Sequence, residues 1–262
     1  MKKRIQLFDV DGTLTSSEKD EPFASSNLLA YKTFAFWPLL SSLLAKKPCF
    51  FESEAAQWNK LMETTPETQK DRSSFDMMER TVREFLYHYV NAEYMSKKAE
   101  EITNNFLIHN VIQLNAIQYI NECLDNGIIC ILTTGSYLDG LKGFVNALIK
   151  KNILRNSKNL LLNGAEVNWA NKTLIRANVG KYKTENLFNT LKENNIEEYA
   201  VQAAFGDDPY INDKAILELA LPNGGFVIKC KKNVLGGFNP QFKHCTWQEF
   251  IQQHKLGVLS CL

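Results

Sequence analysis

Asp9 and Asp11 stand two residues apart in Asp9-Val10-Asp11-Gly12-Thr13-Leu14-Thr15, directly after the run Ile5-Gln6-Leu7-Phe8. The run is short, mostly apolar and ends in turn chemistry, which predicts a buried parallel strand. Side chains alternate along a strand, so the two carboxylates share a side if strand geometry continues. Like charges that close are costly unless a cation or a proton lies between them. The pair therefore marks a metal site, an acid/base site, or both.

Two further apolar runs end in polar, site-like sequence. Ile128-Ile129-Cys130-Ile131-Leu132 leads into Thr133-Thr134-Gly135-Ser136, and Ala200 to Phe205 leads into Gly206-Asp207-Asp208. The segments between them read as helices. One passes through Ile112, Ile117, Ile120 and Leu124 and stops at Asn126-Gly127, and one spans about 138–151. A third follows Lys183 through Leu187, Phe188 and Leu191, and a fourth spans about 213–221. A short strand and hairpin over 160–177, turning at Ala170-Asn171-Lys172, and a strand at 226–230 complete the pattern. Strands alternating with helices predict an α/β fold, a Rossmann-like parallel sheet with helices on both faces. In such sheets ligands sit beyond the carboxyl ends of the strands, where these polar stretches would meet.

Residues 16–112 differ in texture. Met77, Met78, Val82, Phe85, Leu86 and Tyr89 recur at helical spacing, as do Ile102, Phe106 and Leu107, and strand-like alternation is missing. The expected organisation is a core of residues 1–15 and 113–262, with 16–112 as an inserted all-helical lid over the cleft. Apolar residues are 45% and charged residues 23% of the 262, and the net charge is +1. That balance gives no electrostatic footprint for nucleic acid. Cys49, Cys123, Cys130, Cys230, Cys245 and Cys261 show no C-x-x-C spacing, so zinc and redox-motif readings have little support. The basic start Met1-Lys2-Lys3-Arg4 precedes an apolar run that ends at Asp9, too early for a signal peptide. Leu28 to Leu44 contains Lys32 and Pro38 and is shorter than a membrane span, so a cytoplasmic protein without stable membrane insertion is the default expectation.

Together these residues resemble the haloacid dehalogenase superfamily of phosphotransferases. Its first motif, Asp-x-Asp-Gly-Thr, stands as Asp9-Val10-Asp11-Gly12-Thr13, and its second, a strand ending in Thr or Ser, as Ile131-Leu132-Thr133-Thr134-Gly135. Its third is a lysine before a helix. Lys181 and Lys183 compete for it, and Lys183 matches better, because Lys183-Thr184-Glu185-Asn186-Leu187 resembles Lys-x-Glu-x-Leu of the phosphoserine-phosphatase-like subgroup. The fourth, an acidic pair after a strand, stands as Gly206-Asp207-Asp208 with Asp213 further on. The long helical insert after the first motif also resembles that subgroup, whose cap is helical.

Phosphate monoesters hydrolyse very slowly unaided, and a carboxylate nucleophile divides the task through an aspartyl-phosphate. Asp9 would attack phosphorus, and Asp11 would protonate the leaving alcohol and then activate water. Mg²⁺ suits a site of carboxylates, water and phosphate oxygens. The resemblance implies that the Asp9 carboxylate, the Asp11 backbone carbonyl and the Asp207 carboxylate hold it. It further implies that Thr134, the backbone N–H at Gly135 and Lys183 hold the phosphoryl group. Asp208 and Asp213 compete for the second fourth-motif position, since Asp213 lies six residues after Asp207 where four is usual. Glu18 matches in spacing the glutamate that binds substrate ammonium in phosphoserine phosphatases, but its neighbours do not match, so phosphoserine is not assigned. The expectation is a Mg²⁺-dependent phosphomonoesterase for a phosphorylated small molecule. The alternatives are a phosphoprotein phosphatase acting on phosphotyrosine, and a catalytically silent binding protein on the same scaffold.

Overall fold

The computed structural model of the chain describes residues 2–15, 91–108, 110–210, 212–220, 222–228 and 239–256. Most of the predicted lid, residues 16–90, lies outside the described residues, and so does Glu18. The elements in chain order are β1 (Lys3–Asp9), α1 (Ala92–Ile108), α2 (Leu114–Asp125), β2 (Ile129–Tyr137), α3 (Leu138–Lys150), β3 (Leu160–Asn168), β4 (Thr173–Arg176), α4 (Lys181–Glu193), β5 (Tyr199–Gly206), α5 (Lys214–Glu218), β6 (Gly225–Ile228), β7 (Lys243–Cys245) and α6 (Trp247–Lys255). Among the described residues, no helix is long and apolar enough to cross a membrane.

The strands form one sheet in the order β4-β3-β2-β1-β5-β6-β7. Every neighbouring pair is parallel except the β3–β4 hairpin. Strand alternation divides the core into two faces. Ile5 and Leu7 of β1, Ile129 and Ile131 of β2, Ala204 of β5 and Val227 of β6 pack with α4 and α5. Phe8, Cys130, Leu132, Phe205 and Phe226 point the other way, toward α1, α2, α3 and α6. On that second face Phe8, Phe205 and Phe226 stack at centroid spacings of 5.0 and 5.2 Å, with Trp247 4.8 Å from Phe205. The Trp247 indole N–H also donates to the carbonyl of Thr13 at 2.8 Å, tying the last helix to the loop after β1. This is the α/β architecture expected from the alternation of elements.

The chain leaves the sheet and returns to it at one place. Thr15 forms an isolated antiparallel bridge with Ile112, and Gln113 N–H donates to Leu14 C=O at 2.8 Å. The bridge takes up Ile112, which is why α2 starts at Leu114 rather than two residues earlier. The helix expected around Ile102, Phe106 and Leu107 is α1. It packs on α3, where Gly143 has no Cβ to strike the Ser96 carbonyl and Lys150 pairs with Glu100 at 2.6 Å. Met95 and Phe106 join the same core as Phe8.

Three local expectations differ from the structure. β2 does not end at Leu132 but runs to Tyr137. Thr133 pairs with Asn163 while Tyr137 pairs with Ala165, so residues 134–136 form a bulge with the strand resuming beyond it. α5 stops at Glu218, short of the expected 221, because its last N–H groups bond three residues back and tighten the turn. The final unit β7–α6 was not expected at all. β7 has three residues, too few for a periodic signal, although α6 opens on a Thr246/Glu249 capping box.

Candidate active site

β1 lies at the centre of the sheet, where the chain order reverses: β2 and β3 follow on one side, β5 and β6 on the other. Such a switch point opens a crevice at the carboxyl ends of the strands. Asp9 closes β1, in register with Thr133 of β2, and Val10 N–H donates to Thr133 C=O at 3.0 Å. Gly12 then turns the chain at φ +83°, and a Cβ there would collide with the Asp207 carboxylate. The glycine is thus required twice, by its conformation and by the approach of Asp207.

Lys183 is 1% exposed, and its ammonium lies 2.6 Å from Asp9 Oδ1 and 2.5 Å from Asp213 Oδ1. Burial alone would lower the lysine's pKa, but Asp213 and Asp9 outweigh it and hold the ammonium charged well past its ordinary range. Asp9 Oδ2 accepts from the Thr13 hydroxyl at 3.2 Å. Burial, followed by the Asp213 charge, pushes the Asp9 carboxyl up to about 7, against the opposing pull of Lys183.

Asp11 sits in a different environment. The Thr134 hydroxyl donates to Asp11 Oδ2 at 2.5 Å and itself accepts the Ser136 N–H at 3.0 Å. Among the described residues, Asp11 Oδ1 is buried with no hydrogen-bond partner. Desolvation, then the Asp9 charge, raises the Asp11 carboxyl well above the ordinary carboxylate range.

Asp207 follows β5 and meets Asp9 and Asp213, with one carboxylate oxygen from each residue lying within 4.8 Å of the others. Desolvation and the charges of Asp213, Asp9 and Asp208 raise it well above its ordinary value. Asp213 is already committed: Oδ1 takes the Lys183 ammonium, and Oδ2 accepts the backbone N–H groups of Asp207 and Asp208, each at 3.0 Å. It fixes the loop that carries Asp207. Asp208 instead closes its own turn, accepting from Tyr210 N–H, Asn212 N–H and the Asn212 amide. Of the two competing acids, the structure brings Asp213 into the cluster and turns Asp208 toward the loop.

Asp9, Asp11, Thr134, Lys183, Asp207 and Asp213 are therefore gathered at one place, from β1, β2, α4 and the segment after β5. Gly135 lies in the β2 bulge beside Val179, where a Cβ would approach a Val179 methyl to 3.2 Å. Lys181, the competitor of Lys183, is exposed, with its ammonium 5.4 Å from the Tyr182 ring centroid. A set of buried carboxamides, Asn163, Asn178 and Asn186, was missed in the sequence. Asn163 and Asn178 bond Thr133 and the backbone of Lys183 and Thr134, and Asn186 bonds Asn178. Asn163 lies in β3 and Asn186 in α4, while Asn178 lies in the loop between β4 and α4, where asparagine ordinarily reads as a turn former; only a tertiary view shows them buried.

No family model and no curated protein matches the chain. Solved structures do. A protein of unknown function from Bordetella pertussis Tohama I is 17% identical, the match covering 83% of this chain and 87% of that one with a TM-score of 0.50. A phosphoserine phosphohydrolase-like protein from Francisella tularensis subsp. tularensis SCHU S4 is 15% identical over 87% and 88% of the two chains, with a TM-score of 0.49. A phospho-aspartyl intermediate analogue of phosphoserine phosphatase is 16% identical over 96% and 99%, with a TM-score of 0.45. At such identities the likeness is one of fold, and the Bordetella structure shares the α/β architecture.

Proposed function

We propose that this chain is a phosphomonoesterase of the haloacid dehalogenase superfamily, using Mg²⁺ and acting on a small organic phosphate through an aspartyl-phosphate on Asp9. The observation that carries the reading is the contrast between Asp9 and Asp11. Asp9 has a buried ammonium against one oxygen, which favours the ionised, nucleophilic form. Asp11 shares Thr134's hydroxyl and is disposed to hold a proton. Two carboxyls with such different partners, an ammonium for one and a hydroxyl for the other, suit a nucleophile and a general acid.

In the first step an Asp9 oxygen bonds to phosphorus as the bond to the leaving oxygen breaks, and Asp11 gives that oxygen its proton. In the second, the Asp11 carboxylate takes a proton from water as the water oxygen bonds to phosphorus, releasing orthophosphate and Asp9. Lys183 balances charge on the phosphoryl oxygens, and the Thr134 hydroxyl turns from Asp11 to donate to one of them.

The donor set fits a hard cation. The Asp9 and Asp207 carboxylates with the Asp11 backbone carbonyl would hold it, all of them oxygen ligands, and a divalent ion would offset the burial and then the carboxylate repulsion that raise Asp207. When bound, Mg²⁺ neutralises charge on the transferring group. Asp213 stays with Lys183 and the loop N–H groups.

Activity on an aryl phosphate with Mg²⁺, compared between wild type and Asp9→Asn, tests the reading. Wild-type turnover lost in the variant is expected. An inactive wild type, or an Asp9→Asn protein within a few-fold of it, removes the assignment. A panel of small phosphates beside phosphotyrosine peptides then tests the substrate class, with the small phosphates expected to turn over faster.

A further inference from the structure

The bulge that carries Thr134 breaks the β2–β3 ladder. Thr133 pairs with Asn163 and Tyr137 with Ala165, so Thr134 has no partner on β3. Its carbonyl is taken instead by the amide of Asn178, at 2.7 Å. Asn178 lies between β4 and α4 and is fully buried. The same Nδ2 group also donates to Thr133 Oγ1 and Asn163 C=O, both at 3.1 Å, while Oδ1 accepts from the Asn186 amide at 3.1 Å. Asn163 completes the set, donating to Thr133 Oγ1 at 3.2 Å and to the backbone carbonyl of Lys183 at 3.1 Å.

Every bond of this hub runs to backbone or to a short side chain, so its geometry is stiff. It reaches both groups proposed to contact phosphate: Thr134 through its carbonyl, and Lys183 through Asn163. A satisfied buried polar network rigidifies what it joins, and a half-satisfied one is costly. Asn163 and Asn178 lie outside the motifs that suggested the activity, whereas Asn186 falls within the Lys183–Leu187 segment.

We propose that Asn178, oriented by Asn186 and joined to Asn163, is a positioning residue that sets the spacing between Thr134 and Lys183 and thereby aligns the phosphoryl group. The inference rests on the proposed phosphatase activity. Asn178→Asp is nearly isosteric but turns an acceptor toward the carbonyls of Thr134 and Asn163. Asn186→Ala is gentler, since it removes only the group that orients Asn178 and caps Ala177 C=O. Asn121→Ala is the control. Asn121 bonds Ile153 C=O and Arg155 N–H beyond the end of α3, in the connection that enters the amino end of β3, away from the carboxyl ends of the strands.

The experiment measures kcat and KM for an aryl phosphate with Mg²⁺, and inhibition by orthophosphate. It is run at a temperature where circular dichroism shows each protein folded. Asn178→Asp is expected to lower kcat by about 10- to 100-fold, as for a reacting group displaced by roughly an ångström, and to weaken orthophosphate inhibition. Asn186→Ala moves both in the same direction by less, and Asn121→Ala lowers the melting temperature with kcat within about two-fold. If Asn178→Asp does not fold, Asn186→Ala decides alone. An active wild type with folded hub variants within about two-fold of it overturns the positioning role and leaves the activity standing. An equal loss in Asn121→Ala overturns it too, because destabilisation alone would then explain the effect. An inactive wild type overturns both.

Discussion

Replacing Lys183 by methionine keeps an unbranched side chain of similar reach and deletes the ammonium that stands 2.6 Å from Asp9 and 2.5 Å from Asp213. Both carboxylates are buried and are left without their counter-charge. Breaking a buried pair by removing one partner costs about 3–5 kcal/mol. The loss should depend on pH in a definite direction. In the wild type the folded-state pKa of Asp9 is raised to about 7 from an ordinary 3.8, so between those values the folded state binds more protons than the unfolded. Stability from this group is present at low pH and is lost as pH rises through about 7. Without Lys183, burial and then Asp213 push Asp9 upward against only the Thr13 hydrogen bond, so the window widens. A proton can stand in for the ammonium at pH 5 but not at pH 8. The variant's deficit should grow by about 1.4 kcal/mol per pH unit for each extra proton held by its folded state. Urea unfolding in chelator at pH 5 and pH 8, on wild type, Lys183→Met, Asp213→Asn and the double variant, measures this. The double variant should lose less than the two single losses combined, since each removes the other's penalty. A deficit below about 1 kcal/mol at pH 8, or one equal at both pH values, would refute the reasoning.

The wild type in chelator should lose stability as pH rises from about 4 to about 7, by the same reasoning for Asp9, and Mg²⁺ should flatten that slope; denaturant melts with and without Mg²⁺ check it, and an unchanged slope would count against the metal site. Mg²⁺ binding should also release protons near neutral pH, visible by calorimetry as a dependence on buffer ionisation heat. Gly12→Ala should destabilise by about 1–3 kcal/mol from backbone strain and weaken Mg²⁺ binding, because its Cβ displaces Asp207; normal Mg²⁺ affinity in the folded variant would contradict the contact. Asp11→Asn should impair alkyl phosphates far more than aryl phosphates, whose leaving groups need less protonation; equal losses on both would remove Asp11 as the acid. Phe205→Ala should cost about 3–5 kcal/mol in urea unfolding, since Phe205 lies fully buried between Phe8 and Phe226.

Much of this architecture is legible in the chain because its signals are local. β1, β2 and β5 are apolar runs bounded by turn residues, and parallel strands buried on both faces read that way. The acids and Thr134 stand out because each follows such a run, and the common geometry of parallel strands carries their ends to one edge. What escaped notice depends on distant partners. The bulge at 134–136 is visible only against β3, and the burial of Asn178 only once the β4–α4 loop is folded under β2. Asp213 and Asp208 are equally acidic and nearly adjacent in the chain. What separates them is that Asp213 heads α5 facing Gly206 and Lys183, while Asp208 bonds forward to Asn212. β7 is too short to show periodicity, and it forms because β6 offers it an edge.

The most direct test of the central claim is to look for phosphate on Asp9. The protein is mixed with a radiolabelled phosphate ester and Mg²⁺ and quenched in acid within the first turnovers. The labelled residue is then mapped by mass spectrometry after trapping the acyl phosphate. A label on Asp9 that is labile to hydroxylamine, and is missing in Asp9→Asn, is the predicted result. Turnover with no covalent label, or a label on another residue, would contradict it.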